Sequence, residues 1–403
     1  MKIVQINTFS NGSTGNIMMN IHKELLKKGV DSYVVWGRGR KTQNQNEIYM
    51  NDKLGVYFHA LYARLTGKVG FASKSATKKL IKKLDEIKPD IIHLHNLHGY
   101  YINIEILFNY IKENNVKVIW TLHDCWAFTG QCPHFTIRNC NKWKSQCYNC
   151  PMIHEYPKTI KDNSYWNYNK KKELFSNLNL TIVTPSEWLS KLVKESFLKK
   201  YEVKVINNGI DLNIFKKLDK KDLKFRKKYK LKDKKIILGV ASPFTYKKGF
   251  YDFIKLSKVL NDNYRIVLVG LNKKQIRELP RNIIGIEKLN DYLQLVDIYN
   301  SADIFLNLTY EDNYPTVNLE AIACGIPVIT YDTGGSTEFI NYLNSTSLYY
   351  VIKKNNKSND IVKEIKKSVE LLLLNNDEFF IKDINSLDIK TKIKEYINLY
   401  QSR

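Results

Sequence analysis

The sequence predicts an α/β protein with two doubly wound domains, each built on a parallel sheet with helices on both faces. Strand-like and helix-like segments alternate through both halves of the chain, which is typical of parallel sheets. A polar, lysine-rich stretch from 212 to 235 separates the two series and is a natural linker. The 403 residues, 43% of them apolar, suffice for two separate cores.

Each series follows from local patterns. In the first, short apolar runs predict strands at 3–7, 32–36, 91–93, 116–121, 180–184 and 203–206. Helical spacing predicts helices near 17–28, 77–87 and 165–176, and after Pro185-Ser186. In the second, strands are predicted at 236–241, 265–269, 283–286 and 304–308, and helices at 250–260 and 292–301. We expect domains at 1–212 and 213–388, followed by an amphipathic helix at 389–403 with an apolar stripe of Ile389, Ile393, Ile397 and Tyr400.

Composition restricts the class of protein. No stretch of 18 or more apolar residues occurs, and the N-terminus resembles a strand rather than a signal peptide, so a cytoplasmic protein is expected. The net charge of +24 permits binding to an anionic membrane surface or to nucleic acid. Nucleic acid is not expected, because no recognition motif or interleaved aromatic pattern accompanies the basic runs. A general compositional bias, in a chain that is also rich in Asn, Ile and Tyr, explains the charge equally well.

One basic helix offers a route to the membrane. Four lysines alternate with an apolar stripe in the helix predicted at 77–87: Lys78, Lys79, Lys82 and Lys83. A basic rim around an apolar stripe suits docking on anionic lipid. The alternative is that the stripe packs on the sheet and the lysines are solvated.

The strongest chemical signal is a pair of acids, Asp312 and Glu320, with seven residues between them. The run that follows Asp312 predicts a helix starting near Thr316 and Val317, whose free backbone N–H groups favour a diphosphate. Glu320, about one turn further on, is placed to accept hydrogen bonds from ribose hydroxyls. The alternative is an amphipathic helix with a solvated glutamate and an ordinary loop aspartate.

This pattern, with Gly334-Gly335-Ser-Thr-Glu338 after it, resembles the acid-x7-acid signature of retaining, nucleotide-sugar-dependent glycosyltransferases of family 4. The segment Glu311-Asp312-Asn313-Tyr314-Pro315 is most similar to a subgroup in bacterial exopolysaccharide and capsule gene sets, including colanic-acid-type enzymes. The resemblance implies the GT-B fold, two Rossmann-like domains facing across a cleft, with the final helix crossing back to the first domain. It also implies that Asp312 contacts the transferred sugar and Glu320 the ribose.

The proline at 315 departs from the family, which usually has glycine there. Proline has no N–H, so donor contacts are expected to move to the amides of Thr316 and Val317 and the side chains of Asp312 and Asn313.

Other positions gain roles from the resemblance. The loop with Gly12 and Gly15 follows the first strand, where small residues let the backbone approach donor phosphates. Without the resemblance, the same loop is typical of an ordinary strand-to-helix turn. His123 ends a later strand, and the resemblance implies a hydrogen bond to the transferred sugar. We favour it over His93, His95 and His98, and a metal role for that trio is not expected.

Two lysines follow the first strand of the second domain. Lys248 matches the lysine that neutralises the diphosphate leaving group in the family, and Lys247 adjoins it. Ser242 stands where the family has an arginine, so the leaving-group charge must be stabilised partly by other groups. A catalytic metal is not expected, because no Asp-x-Asp is placed to hold one.

Five cysteines crowd the segment 125–151, and two of them form Cys147-x-x-Cys150. A structural zinc held by Cys132, Cys140, Cys147 and Cys150 is one interpretation. A set of reduced thiols in an irregular loop is the other, and the sequence leaves both open.

These observations predict a glycosyltransferase that moves a sugar from a UDP- or GDP-sugar to a growing, lipid-linked or oligosaccharide acceptor of a bacterial surface glycan. It is expected at the inner face of the cytoplasmic membrane as a peripheral protein. Two alternatives are a nucleotide-sugar epimerase of similar architecture and a non-catalytic basic protein that binds membranes or nucleic acid. An epimerase needs no acceptor, and a binding protein would not require Asp312, Glu320 and Lys248.

Overall fold

The computed structural model describes residues 1–402 except 42–43, 51–52, 220–222, 290, 344–347, 354–357 and 375–380. The chain divides into a first unit, Met1–Asn207 with Ile393–Arg403, and a second unit, Asn208–Lys392. None of the helices in the described part is both long and apolar enough to cross a membrane.

The first unit contains a seven-stranded, all-parallel sheet in the order β3-β2-β1-β4-β5-β6-β7. Its apolar strands are buried on both faces, as in doubly wound sheets. The strands are β1 (Lys2–Phe9), β2 (Asp31–Arg38), β3 (Glu47–Tyr49), β4 (Ile91–Leu94), β5 (Lys117–Thr121), β6 (Leu180–Thr184) and β7 (Glu202–Val205). The helices are α1 (Gly12–Lys27), α2 (Lys53–Thr66), α3 (Lys74–Ile87), α4 (Ile104–Glu113), α5 (Ser164–Leu174) and α6 (Glu187–Glu195).

The second unit contains a six-stranded parallel sheet in the order β10-β9-β8-β11-β12-β13. Its strands are β8 (Lys235–Val240), β9 (Tyr264–Leu271), β10 (Ile283–Glu287), β11 (Ile304–Asn307), β12 (Val328–Tyr331) and β13 (Tyr349–Ile352). Its helices are α7 (Phe225–Lys228), α8 (Phe250–Ser257), α9 (Lys273–Arg277), α10 (Tyr292–Ser301), α11 (Thr316–Ala323) and α12 (Ser358–Leu374).

Both sheets reverse their strand order once, between β1 and β4 in the first unit and between β8 and β11 in the second. In open α/β sheets, ligands bind beyond the carboxyl ends of the strands at such a switch point. The loops that follow these four strands are therefore the places to look for a site.

The last helix, α13 (Ile389–Gln401), packs on the first unit from Ile393 onward. Two of its buried tyrosines reach the central strands. The Tyr400 hydroxyl lies 2.6 Å from Nδ1 of His93, and Tyr396 lies 3.2 Å from Thr121 Oγ1. His93 thus anchors the C-terminal helix, which gives it a structural role.

Two expectations from the sequence need correction. The segment predicted as a linker, 212–235, is partly core, because Phe215, Phe225 and Leu231 are buried in the second unit. The apolar stripe of α3 faces inward, since Leu80 and Leu84 are buried. Docking of that stripe on lipid is therefore wrong, and the four lysines form a solvated face.

Candidate donor site and the histidine cluster

The predicted donor residues meet at the switch point of the second sheet. The loop after β8 carries Lys247 and Lys248, and the loop after β11 carries Glu311 and Asp312. The two loops are joined by a hydrogen bond from the Tyr310 N–H to the carbonyl oxygen of Lys247, 2.7 Å long. Residues far apart in sequence are thereby fixed side by side.

The two lysines pair with the two acids in sequence order. Lys247 Nζ lies 3.2 Å from Glu311 Oε2, and Lys248 Nζ lies 2.5 Å from Asp312 Oδ2. The Glu311 carboxylate is almost fully buried, whereas the side chains of both lysines keep about a quarter to a third of their surface exposed. Both ammonium groups are thus held beside the acids but remain partly exposed to solvent, where they can bind an anion.

The backbone beside Asp312 is fixed by a glycine turn. Gly334 adopts φ +58°, and a Cβ there would come 1.8 Å from the carbonyl oxygen of Asp312. The Gly335 N–H donates to the same oxygen at 3.2 Å. Only glycine permits this approach, so the Gly334-Gly335 pair noted in the sequence acts by positioning Asp312.

The N-terminus of α11 follows directly. It begins at Thr316, and Pro315 before it provides no side-chain cap, which leaves backbone N–H groups at Thr316 and Val317 without a capping side chain. Asn313 is buried beside them. The positive end of the helix dipole and the ammonium of Lys248 are therefore on the same edge of the sheet.

Glu320 lies inside α11 and is half-buried. Tyr299, which sequence reasoning missed, donates its hydroxyl to Glu320 Oε2 at 2.9 Å, and Thr316 Oγ1 lies 3.4 Å from Oε1. Burial raises the pKa of Glu320 to about 7, although both hydroxyls oppose the shift. The carboxyl group is therefore poised between its neutral and charged forms near neutral pH.

Ser242, at the family's arginine position, is exposed and precedes a cis peptide bond to Pro243. Arg226 of the same unit does not take over, because its guanidinium is 2.6 Å from Asp303 Oδ2 at the opposite, N-terminal side of β8 and β11.

In the first unit, Gly12 begins α1 and Gly15 lies in its first turn, directly beyond β1. A Cβ on Gly15 would lie 2.6 Å from the carbonyl carbon of Ser10, so glycine is required for the tight entry into the helix. The Asn7 amide donates to Thr14 Oγ1 at 3.2 Å and ties the turn to the strand. Both predicted glycines therefore lie at the switch point of the first sheet.

His123 lies near the same edge, after β5. Its Nε2 is 3.0 Å from Nδ1 of His95, and the two ring planes are nearly parallel, with a centroid distance of 5.3 Å. His95 Nε2 in turn lies 3.4 Å from Gln5 Oε1. Burial lowers the pKa of His123 to about 4 and of His95 well below its usual value, so both rings are neutral at pH 7. A neutral His123 can exchange a hydrogen bond with a sugar but does not act as a cation.

A second pair beside it was not predicted. His98 Nε2 lies 2.7 Å from Asp124 Oδ2, and His98 Nδ1 lies 3.1 Å from the Tyr156 hydroxyl. Burial alone would raise the pKa of Asp124, but His98 and the backbone N–H of Trp126 hold it at about 2. Asp124 directly follows His123 in the sequence. This adjacency is the sequence feature from which Asp124 could have been predicted to lie near the site.

The four cysteines of the proposed zinc site line one small cavity, together with Gly130, Lys142 and Trp143. All four are reduced. Across the described ranges, no three His, Cys, Asp or Glu side chains are arranged to coordinate a metal ion, which includes the trio His93, His95 and His98. As placed, the thiols are therefore clustered but not in coordination geometry.

Comparison with known proteins identifies the family. The profile of glycosyltransferase family 4 matches residues 14–214, and that of glycosyl transferases group 1 matches 221–385. The putative colanic acid biosynthesis glycosyl transferase WcaC of Escherichia coli K12 is 25% identical over 360 residues, covering 84% of this chain and 85% of the relative.

Two other proteins are also similar to this chain. The N,N'-diacetylbacillosaminyl-diphospho-undecaprenol alpha-1,3-N-acetylgalactosaminyltransferase of Campylobacter jejuni is 28% identical, over 50% of this chain and 55% of its own. Anabaena HepE, whose crystal structure contains UDP and glucose, superposes with a TM-score of 0.67 at 14% identity, covering 100% of both chains. The two family matches and the pair of parallel-sheet units agree, and the chain belongs to glycosyltransferase family 4 with the GT-B fold.

Proposed function

We propose that this glycosyltransferase takes a sugar from a nucleotide-diphosphate donor, a UDP- or GDP-sugar, and adds it with retention to a growing bacterial surface glycan. The names of the WcaC and Campylobacter relatives support a glycan acceptor, and for the latter a lipid-linked one. UDP bound to HepE supports a nucleotide donor. Such an acceptor would be met at the inner face of the cytoplasmic membrane.

The observation that carries the proposal is the meeting of Lys247 and Lys248 with the start of α11 at one switch point. Ammonium groups and free backbone N–H groups together suit a diphosphate. We assign the amides of Thr316 and Val317 and the two lysines to the diphosphate, Asp312 and Asn313 to the sugar, and Glu320 to the ribose. Gly12 and Gly15 would admit the donor phosphates, and for His123 we propose the family's role, a hydrogen bond to the sugar.

In the reaction, the acceptor hydroxyl oxygen bonds to the anomeric carbon on the face that the diphosphate leaves, and the hydroxyl proton passes to the departing phosphate. Negative charge grows on the leaving group as its bond breaks. Before the donor binds, the positive charge of Lys248 is paired with the carboxylate of Asp312. We infer that the donor loosens this pair, so that Asp312 turns to sugar hydroxyls and Lys248 to the phosphate.

Thermal unfolding with UDP, GDP, CMP and ADP tests nucleotide binding, because a ligand of the folded state raises the melting temperature by mass action. Donors of the nucleotide that stabilises the protein are then incubated with membrane extracts, and the anomeric configuration of the product is read by NMR. Sugar conversion without an acceptor would instead indicate an epimerase, and no stabilisation by any nucleotide would contradict the proposal.

A structural zinc is a separate proposal for the cysteine cavity, and it requires the four thiol side chains to turn toward one point. Backbone N–H groups already support two of them: Gly130 donates to Cys147 Sγ at 3.2 Å, and Met152 donates to Cys150. The ammonium of Lys171, buried nearby and bonded to the carbonyl oxygen of Trp126 at 2.7 Å, would offset the negative charge of a four-thiolate site.

Protein purified without added metal is expected to contain about one zinc per chain. A chelator should lower the melting temperature without inhibiting the folded enzyme directly. Cys132→Ser and Cys150→Ser should lose the metal, whereas Cys324→Ser, a buried cysteine of the other unit, should keep it. Four titratable thiols and no zinc by elemental analysis would end this proposal.

A further inference from the structure

One helix of the first unit exposes an apolar face that the sequence patterns did not predict. In α2, six large apolar residues are between 37% and 72% exposed, on a stripe spaced three and four residues apart: Leu54, Tyr57, Phe58, Leu61, Tyr62 and Leu65. The opposite face carries the apolar residues Val56, Ala60 and Ala63 and is buried at His59 and Ala63. A contiguous exposed apolar stripe of this kind marks an interaction surface.

The charges around the stripe are positive. The helix contains no aspartate or glutamate, and exposed Lys53 and Arg64 flank one edge of the stripe. Next to its C-terminal end, the Ile160 N–H donates to the carbonyl oxygen of Arg64 at 2.8 Å. Ile160 is itself 67% exposed and is followed by exposed Lys161. An apolar stripe with a basic border complements a bilayer that carries anionic headgroups.

A cavity of about 510 Å³ opens beside the same helix, between Tyr57, Leu61 and Arg64 on one side and Tyr100, Tyr156 and Lys158 on the other. Glu155 is the one acidic residue among those that line it. Its tyrosines adjoin the candidate site, since the Tyr156 hydroxyl lies 3.1 Å from His98 Nδ1. The cavity therefore joins the apolar stripe to the end of β4.

We propose that α2 docks this enzyme on an anionic lipid bilayer, with its stripe among the acyl chains and the cavity at the level of the phosphate headgroups, where the acceptor's head would enter. Arg64 and Lys158 are the cationic groups that would face those phosphates. The location of the acceptor rests on the proposed function, whereas the docking itself does not.

Co-flotation with phosphatidylcholine vesicles, with and without phosphatidylglycerol, tests the docking on the full chain. The wild type should float only with the anionic vesicles. The variant Tyr57→Ser/Phe58→Ser/Leu61→Ser should weaken the apparent affinity by at least on the order of tenfold. These side chains are exposed, so the melting temperature should not fall.

Two charge variants separate this surface from the general positive charge of the protein. Lys53→Gln/Arg64→Gln should weaken binding on the order of tenfold. Lys78→Gln/Lys79→Gln on α3, which removes the same charge from another exposed helix, should change it much less. Equal losses in both variants, or equal binding to neutral vesicles, would overturn the proposal.

Two further readouts make the outcome specific. If the stripe instead binds a second copy of the chain, light scattering will show a dimer that the serine variant abolishes, which would contradict docking on lipid. The nucleotide-induced rise in melting temperature should survive in all α2 variants. Loss of vesicle binding with that rise intact leaves the proposed transfer reaction standing, whereas vesicle binding without any nucleotide response refutes the reaction alone.

Discussion

Replacing Lys248 with alanine should lower the turnover number by about 10²–10³-fold, the usual cost of removing one group that stabilises developing charge. The ammonium group is 2.5 Å from Asp312 Oδ2, and Asp312 lies shortly before Thr316, where α11 begins. Without it, the departing diphosphate would lose a cation where the family's arginine is already absent. Steady-state rates at saturating donor, with melting temperatures measured in parallel, provide the check.

Controls distinguish chemistry from structure. Lys235→Ala removes another lysine that pairs with an acid in the same unit, 3.6 Å from Asp303, and should leave the rate unchanged because Arg226 still binds that carboxylate. Lys248→Arg keeps the charge and should recover part of the rate. If Lys248→Ala turns over at the wild-type rate, another group stabilises the charge of the diphosphate. Lys247 is then the next candidate.

The grouping of the candidate donor residues around the start of α11 was predictable because its signals are local in sequence. Asp312, Thr316 and Glu320 lie within one loop and one helix, so their spacing already placed them on one side of a helix start. The pairing of Lys248 with Asp312 was not predictable, because it depends on β8 and β11 being neighbours in the sheet. Likewise, no pattern linked Tyr299 to Glu320, since they come from different helices.

The helices of the first unit were harder to predict from the sequence. Periodicity is a clear guide when one face of a helix is apolar and the other polar. In α3 it predicted the helix but not which partner the stripe would meet, and the stripe proved to lie in the core of the first unit. In α2 both faces are apolar, so the segment showed no clean stripe and was not predicted as a helix. The exposed face became apparent only when the fold had assigned His59 and Ala63 to the core.

Replacing Glu320 with glutamine should weaken nucleotide binding by about 1–3 kcal/mol at pH 8, the range for a lost charge-assisted hydrogen bond. The folded protein should not be weakened at that pH. The pKa of Glu320 is raised to about 7 by burial, so the native state holds its proton up to higher pH than the unfolded chain does. Its ionisation therefore costs stability as the pH rises from about 4.5 to about 7, and glutamine removes that cost.

The same shift predicts a pH signature. If ribose hydroxyls donate to the Glu320 carboxylate, binding favours its charged form, and nucleotide affinity should fall by up to about tenfold per pH unit below pH 7. Calorimetry near pH 6.5 in buffers of different ionisation enthalpy should show a proton released on binding, and Glu320→Gln should abolish both effects. Glu278→Gln, at an exposed position of the same unit, should retain them. If Glu320→Gln binds the nucleotide as tightly as the wild type at pH 8, the assignment of this carboxylate to the ribose is wrong.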